Sequence, residues 1–135
     1  MGMVIALGAC AGSQPPPAGT DPATGFPLGV FSKVIDRPDT GRTRLDWVFG
    51  PGGRWAEVPI PLDGQPQPAP AVRGTYRVAG DILTIATTWP PGWGTSQHRW
   101  RRDGDALWTV FLASDNPDDA DWFTSIDMTP WRPAP

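Results

Sequence analysis

The sequence predicts an all-β fold, an antiparallel up-and-down barrel of about eight strands. Three observations carry that prediction. Apolar and polar residues alternate with period two in most segments between positions 28 and 132. Turn clusters rich in Gly, Pro and Asp separate those segments at hairpin spacing. Few segments free of Gly and Pro show a helical 3.6-residue period. A meander of this kind rolls into a barrel or a sandwich, and closure removes strand edges that would invite aggregation.

The strands are expected in the following order. The first runs from Leu28 to Ile35, with Leu28, Val30 and Val34 at alternating positions. Pro38, Asp39 and Gly41 form a turn cluster. In the second, Thr43, Leu45, Trp47 and Phe49 alternate with Arg44, Asp46 and Val48, which gives one aromatic face. Gly50-Pro51-Gly52-Gly53 is a strong turn, because glycine tolerates the positive φ of tight hairpins. Arg54 to Val58 returns as the third strand. The stretch from Pro59 to Pro70 carries five prolines, which donate nothing to a β-ladder, and is expected to be a long loop.

Val72, Gly74, Tyr76 and Val78 share one side of the fourth strand, and Ala79-Gly80-Asp81 turns into Ile82 to Thr88. Trp89-Pro90-Pro91-Gly92-Trp93-Gly94 interrupts. Thr95 to Arg101 follows, with His98 and Trp100 on one side. Asp103-Gly104 is the next hairpin signal. Ala106 to Ala113 places Leu107, Thr109 and Phe111 opposite Trp108, Val110 and Leu112. Ser114 to Asp121 reads as an acidic loop. Trp122 to Thr129 is expected as the last strand, with Trp122, Thr124, Ile126 and Met128 on one face.

The 135 residues suit one domain. Pro (18) and Gly (16) are abundant enough to suggest disorder, but they concentrate before Leu28 and between Pro59 and Pro70. All eight Trp residues fall in the remainder, which can bury enough apolar area to offset chain entropy. The net charge is −3, and Lys33 is the only lysine. No basic tract interleaves with aromatics, so nucleic acid is not an expected partner. Cys10 is the only cysteine, so an intrachain disulfide is impossible.

Leu7-Gly8-Ala9-Cys10 resembles a bacterial lipobox: an apolar residue, two small ones, then the cysteine that carries the lipid. That resemblance implies a signal remnant over 1–10, a Pro- and Gly-rich tether over 11–27, and the β domain over 28–132. It implies attachment to the cell envelope, since two or more acyl chains give a stable anchor. No Lys or Arg precedes Cys10, so the reading requires a start further upstream. The alternative is an accidental match.

The stretches Leu45–Trp55, Gly74–Ile85, His98–Trp108 and Thr129-Pro130-Trp131-Arg132 resemble small lipocalin-like barrel domains of secreted bacterial proteins. The resemblance implies a monomeric barrel whose interior holds a small apolar ligand, with no shared enzymatic reaction. Trp47, Phe49, Tyr76 and Trp100 would line that interior if their face points inward. The alternative is a protein-interaction module, protease-inhibitor-like, acting through exposed loops. Trp89 and Trp93 would then form the contact, or else a lid over the barrel mouth.

Catalysis is not expected. His98 is the only histidine, and no nucleophile motif surrounds the nearby Ser96. Asp115, Asp118, Asp119 and Asp121 lack the ligand spacing of a calcium loop and read as a solvated loop. No metal or cofactor is expected.

Overall fold

The computed structural model describes residues 19–37, 41–63 and 71–135. Cys10, the lipobox-like stretch around it, and the expected turn and loop residues at 38–40 and 64–70 lie outside the described residues.

Among the described residues, eight antiparallel strands and one short helix form a nearly closed barrel. The strands are β1 (Gly29–Arg37), β2 (Gly41–Phe49), β3 (Arg54–Pro61), β4 (Val72–Ala79), β5 (Ile82–Trp89), β6 (Thr95–Asp103), β7 (Ala106–Ser114) and β8 (Arg132–Pro133). Helix α1 (Asp119–Ile126) lies between β7 and β8. The sheet order is β7-β6-β5-β4-β3-β2-β1-β8, so the first seven strands pair as consecutive hairpins. The short strand β8 closes the circle. It pairs with β1 at Phe31↔Pro133 and Ser32↔Arg132. On its other side, Trp131 and Leu107 exchange two backbone hydrogen bonds of 2.8 Å.

The alternation read from β2, β4, β6 and β7 is the observed one. Thr43, Leu45, Trp47 and Phe49 all point inward and are buried. Four expectations need correction. On β1 the inward face is Phe31, Lys33 and Ile35, while Val30 and Val34 face solvent. The lone lysine on the buried face disguised the pattern.

Strand β3 also runs further than expected, through Pro59 and Pro61, which pair with Leu45 and Thr43. Its pairing with β4 spans only Arg54 to Glu57. Both prolines keep the β2 register, and the ladder continues past them where Leu62 N–H donates to Arg42 O at 3.1 Å.

The segment expected as the last strand is helix α1. Phe123 and Ile126 are buried three residues apart, whereas Thr124 and Met128 are exposed. Asp118 stands at the N-cap, and Asp119 and Asp121 lie in the first turn, where carboxylates suit the helix dipole.

The packed unit also begins before Leu28. Thr20 bridges to Pro27, and Gly25 N–H donates to Asp21 O at 2.8 Å. This turn drives Phe26 fully into the core. The tether composition of the surrounding Pro and Gly residues masked that single aromatic.

Two ends of the barrel can be distinguished. The lower end carries the tight turns at 50–53, 80–81 and 104–105, with the 20–28 segment packed across it. The upper end carries the longer connections at 90–94 and 115–118 and the start of α1.

Candidate recognition site at the upper mouth

The four residues expected to line a ligand cavity do point inward, but they pack against one another and their neighbours. At the lower end Phe49, Tyr76 and Trp100 surround Phe26, with ring centroids 4.9, 5.7 and 4.9 Å from it respectively. The Tyr76 hydroxyl donates to Gly50 O at 3.0 Å, and Trp100 Nε1 donates to Gly80 O at 3.0 Å. Phe26 thus plugs the bottom of the barrel.

Higher up, Trp47 is 1 % exposed and stacks on Trp131, with centroids 4.2 Å apart. Its ring edges meet Trp55, Phe49, His98 and Phe123 within 6.3 Å. The interior expected to hold a ligand is therefore occupied by aromatic side chains. The chamber that remains beside Trp47, Trp55, Ile85 and Phe123 measures about 30 Å³, far below the volume of a ligand pocket.

The histidine belongs to this packing. His98 is fully buried against Phe123, Trp47 and Phe111. Its Nε2 is hydrogen-bonded to Ser96 Oγ at 2.8 Å, and its Nδ1 has no partner among the described residues. Burial lowers its pKa to about 4, so the ring is neutral at pH 7. A triad needs a third group to orient the imidazole, and none of the described residues supplies it.

Lys33 closes the seam between β1 and α1. Its ammonium donates to Ile126 O and, at 2.6 Å, to Thr129 O, and it lies 4.6 Å from the centre of the Trp131 ring. It thereby caps the carbonyl of Ile126, the last helical residue, which has no intrahelical donor, and holds the turn that follows through Thr129. Desolvation lowers its pKa to about 8, opposed by the charge of Asp127. Burial raises the Asp127 carboxyl in turn, and Asp127 Oδ2 accepts from Phe111 N–H at 2.7 Å.

The open space is at the upper mouth, above the small chamber. A recess of about 620 Å³ lies between the 90–94 loop, the start of α1 and the inner faces of β2, β3 and β4. Trp93 and Trp122 contribute indoles, Leu45 and Val72 apolar floor, and Glu57, Asp118 and Asp119 carboxylates. Trp93 and Trp122 also line the inner chamber, so the two spaces share walls. Recesses of about 370 and 550 Å³ flank the 20–28 segment at the lower end, but no tryptophan lines either.

The mouth is held by local hydrogen bonds. Asp115 Oδ1 accepts from Thr95 N–H at 2.7 Å, which ties the Trp93 loop to the end of β7. Gly94 makes this possible: its φ is +80°, and a Cβ there would meet Asp115 Oδ1 at 1.8 Å. Ser114 Oγ donates to Asp119 at 2.7 Å and fixes the first turn of α1. Two members of the acidic cluster thus pin the loops, while Asp118 and Asp119 border the recess.

The two loop tryptophans part company. Both are 43 % exposed, yet only Trp93 lines the recess. Trp89 sits opposite Arg73 across a bulge, and the Arg73 guanidinium lies over its ring at 5.6 Å. The extra residue flips Trp89 to the outer face of the barrel. Trp122 was missed as a mouth residue because it was read on a strand. The usable signal was Asp118 followed by apolar residues at 122, 123 and 126, a helical spacing.

Among the described residues, no helix is long and apolar enough to cross a membrane, and no group of three or more His, Cys, Asp or Glu could hold a metal ion. The fold defines the class of this protein: among the described residues it is an eight-stranded antiparallel barrel whose interior is packed with aromatic side chains. Comparison with family models, curated proteins and solved structures finds no match to the chain.

Proposed function

We propose that this domain is a non-catalytic binding module that takes a small ligand in the recess at its upper mouth. It acts as a monomer and is held at the cell envelope through a lipid on Cys10. The observation that supports this most is the contrast between the two spaces. The interior retains a chamber of about 30 Å³, whereas the mouth offers about 620 Å³ lined by two indoles. Concave sites with aromatic walls and a few polar groups are where small ligands bind.

A second reading rests on Trp89. Its indole is exposed, stacked on Arg73 and turned away from the recess, and an aromatic–arginine pair of that kind suits a protein contact.

Mass spectrometry of the protein purified under native conditions from its own host distinguishes the two. A co-purifying small molecule that is lost in Trp93→Ala and kept in Trp89→Ala supports the recess. A ligand retained undiminished by Trp93→Ala contradicts it, and a protein partner lost only in Trp89→Ala favours the second reading. A host-derived Cys10 without lipid would refute the anchor.

A further inference from the structure

We infer that the outer face of β4, β5 and β6 docks on a phospholipid bilayer that carries anionic headgroups. The inference makes no use of the mouth recess. The envelope reading bears on it only in making a bilayer the surface that this face meets.

The pattern begins in the sequence. Strand β4 reads Val72-Arg73-Gly74-Thr75-Tyr76-Arg77, and β6 reads Thr95-Ser96-Gln97-His98-Arg99-Trp100-Arg101. Period two sends Val72, Tyr76, His98 and Trp100 toward the core. It leaves Arg73, Arg77, Arg99 and Arg101 exposed on the outside. Strand β5 lies between β4 and β6, and its side chains at the centre of the face are small. Thr84 stands opposite Arg77 and Gln97, and Ala86 opposite Thr75 and Thr95. Long cationic side chains therefore flank a low floor. Arg77, Thr75, Thr84 and Thr95 line a shallow recess of about 240 Å³ there.

Charge complementarity identifies the partner. The chain carries −3 overall, yet this face is basic. Arg99 pairs with Asp81 at 3.1 Å, whereas Arg73, Arg77 and Arg101 form no salt bridge among the described residues. The neighbouring carboxylates are Asp103, at the end of β6, and Asp115, whose Oδ1 accepts from Thr95 N–H. None of the described residues lining the recess is a carboxylate. A guanidinium and three hydroxyls in one recess are hydrogen-bond donors suited to phosphate oxygens.

The indoles favour a bilayer over a protein. The Arg73 guanidinium lies over the Trp89 ring at 5.6 Å, and that of Arg101 over the Trp108 ring of β7 at 5.0 Å. Stacking uses the guanidinium face and leaves its in-plane N–H donors for phosphate. Indoles settle at the headgroup level of membranes. A protein contact is built around an apolar centre, but Trp89 is the one large apolar side chain exposed on these three strands. Headgroups are laterally mobile and adapt to the spacing of the arginines.

The test is co-sedimentation with vesicles of phosphatidylcholine alone and of phosphatidylcholine with phosphatidylglycerol in about equal parts. It uses the full chain carrying Cys10→Ser, so that no acyl group contributes. The chain should bind the phosphatidylglycerol vesicles and not the neutral ones, and binding should fall as salt rises. Arg77→Gln and Arg101→Gln should each weaken it about fivefold. Arg42→Gln removes the same charge from the β2 side, where Arg42 pairs with Asp63, and should change binding by less than about twofold. All three arginines are exposed or at the surface of a strand end, and near-ultraviolet circular dichroism checks that the variants keep the fold. Binding to neither vesicle, equal binding to both, or equal effects of Arg42→Gln and Arg77→Gln overturns the inference. Binding of polyglutamate in place of vesicles, weakened by Arg77→Gln, also overturns it and returns the face to an acidic protein partner. The absence of lipid on Cys10, read separately by mass spectrometry, would refute the anchor without deciding this test.

Discussion

The indole of Trp131 lies face to face with that of Trp47, with ring centroids 4.2 Å apart and planes 18° from parallel. The pair joins the middle of β2 to the residue that closes the barrel. Trp131 is fully buried, its Nε1 donates to Thr109 Oγ1 at 3.2 Å, and its backbone makes the bridge to Leu107. One residue therefore fills the core and completes the circle.

Replacing it should be costly. Trp131→Ala is expected to lose about 3–5 kcal/mol, the range for truncating a fully buried large aromatic. Met128→Ala, three residues away and 79 % exposed, should change stability by no more than about 0.5 kcal/mol. Urea unfolding followed by near-ultraviolet circular dichroism reads both. A loss below about 1 kcal/mol for Trp131→Ala would show that the stack is not a main support of the fold.

Acid should destabilise the barrel through His98. Its pKa falls from 6.5 to about 4 on folding because burial disfavours the charged ring. Between those values the unfolded chain binds the proton and the folded chain does not. Stability present above pH 6.5 is therefore lost as pH falls toward 4, by on the order of 3 kcal/mol. Asp127, whose carboxyl is raised by burial, works in the opposite direction. The His98 contribution is thus the difference between wild type and His98→Gln, measured by urea unfolding at pH 7 and pH 4. Equal pH dependence in the two proteins would show that His98 is not held neutral by its surroundings.

Lys33 should act at the other end of the pH scale. Its pKa falls from 10.5 to about 8 on folding, again through desolvation. Between pH 8 and 10.5 the unfolded chain binds more protons, so stability should rise with pH across that window. Lys33→Met should abolish the rise. At pH 7 it should also cost about 1–3 kcal/mol, because Ile126 O and Thr129 O lose their donor. Unfolding curves at pH 7, 8.5 and 10 check both statements, and a Lys33→Met protein with an unaltered alkaline rise would contradict them.

The strands were legible where their outer and inner faces differ chemically. On β2 the set Thr43, Leu45, Trp47 and Phe49 points inward as the alternation requires. The Gly-rich turns at 50–53, 80–81 and 104–105 also stand where their residues predict. Legibility failed where a tertiary partner redefines a residue. Lys33 reads as a surface charge until the carbonyls of Ile126 and Thr129, at and beyond the end of α1, are supplied to it. Pro59 and Pro61 read as a loop until their pairing with Leu45 and Thr43 of β2 is known. Trp131 reads as a chain end until Trp47 is placed beneath it.

The candidate site was half visible. Trp93 stood out on its stiff loop, but Trp89 looked equivalent, and only the bulge opposite Arg73 separates them. The inward face of Trp47 and Phe49 was readable as a pattern. Whether those rings enclose a space or fill it depends on Phe26, Phe123 and Trp131, which arrive from distant parts of the chain.

The central claim is that the barrel interior is solid and recognition takes place at the mouth. Fluorine NMR of the protein labelled with fluorotryptophan, titrated with free indole as an apolar probe, tests it most directly. The account predicts saturable shifts at Trp93 and Trp122, with the resonances of Trp47 and Trp131 unmoved. Saturable shifts at Trp47 or Trp131 would place the probe inside the barrel and contradict it.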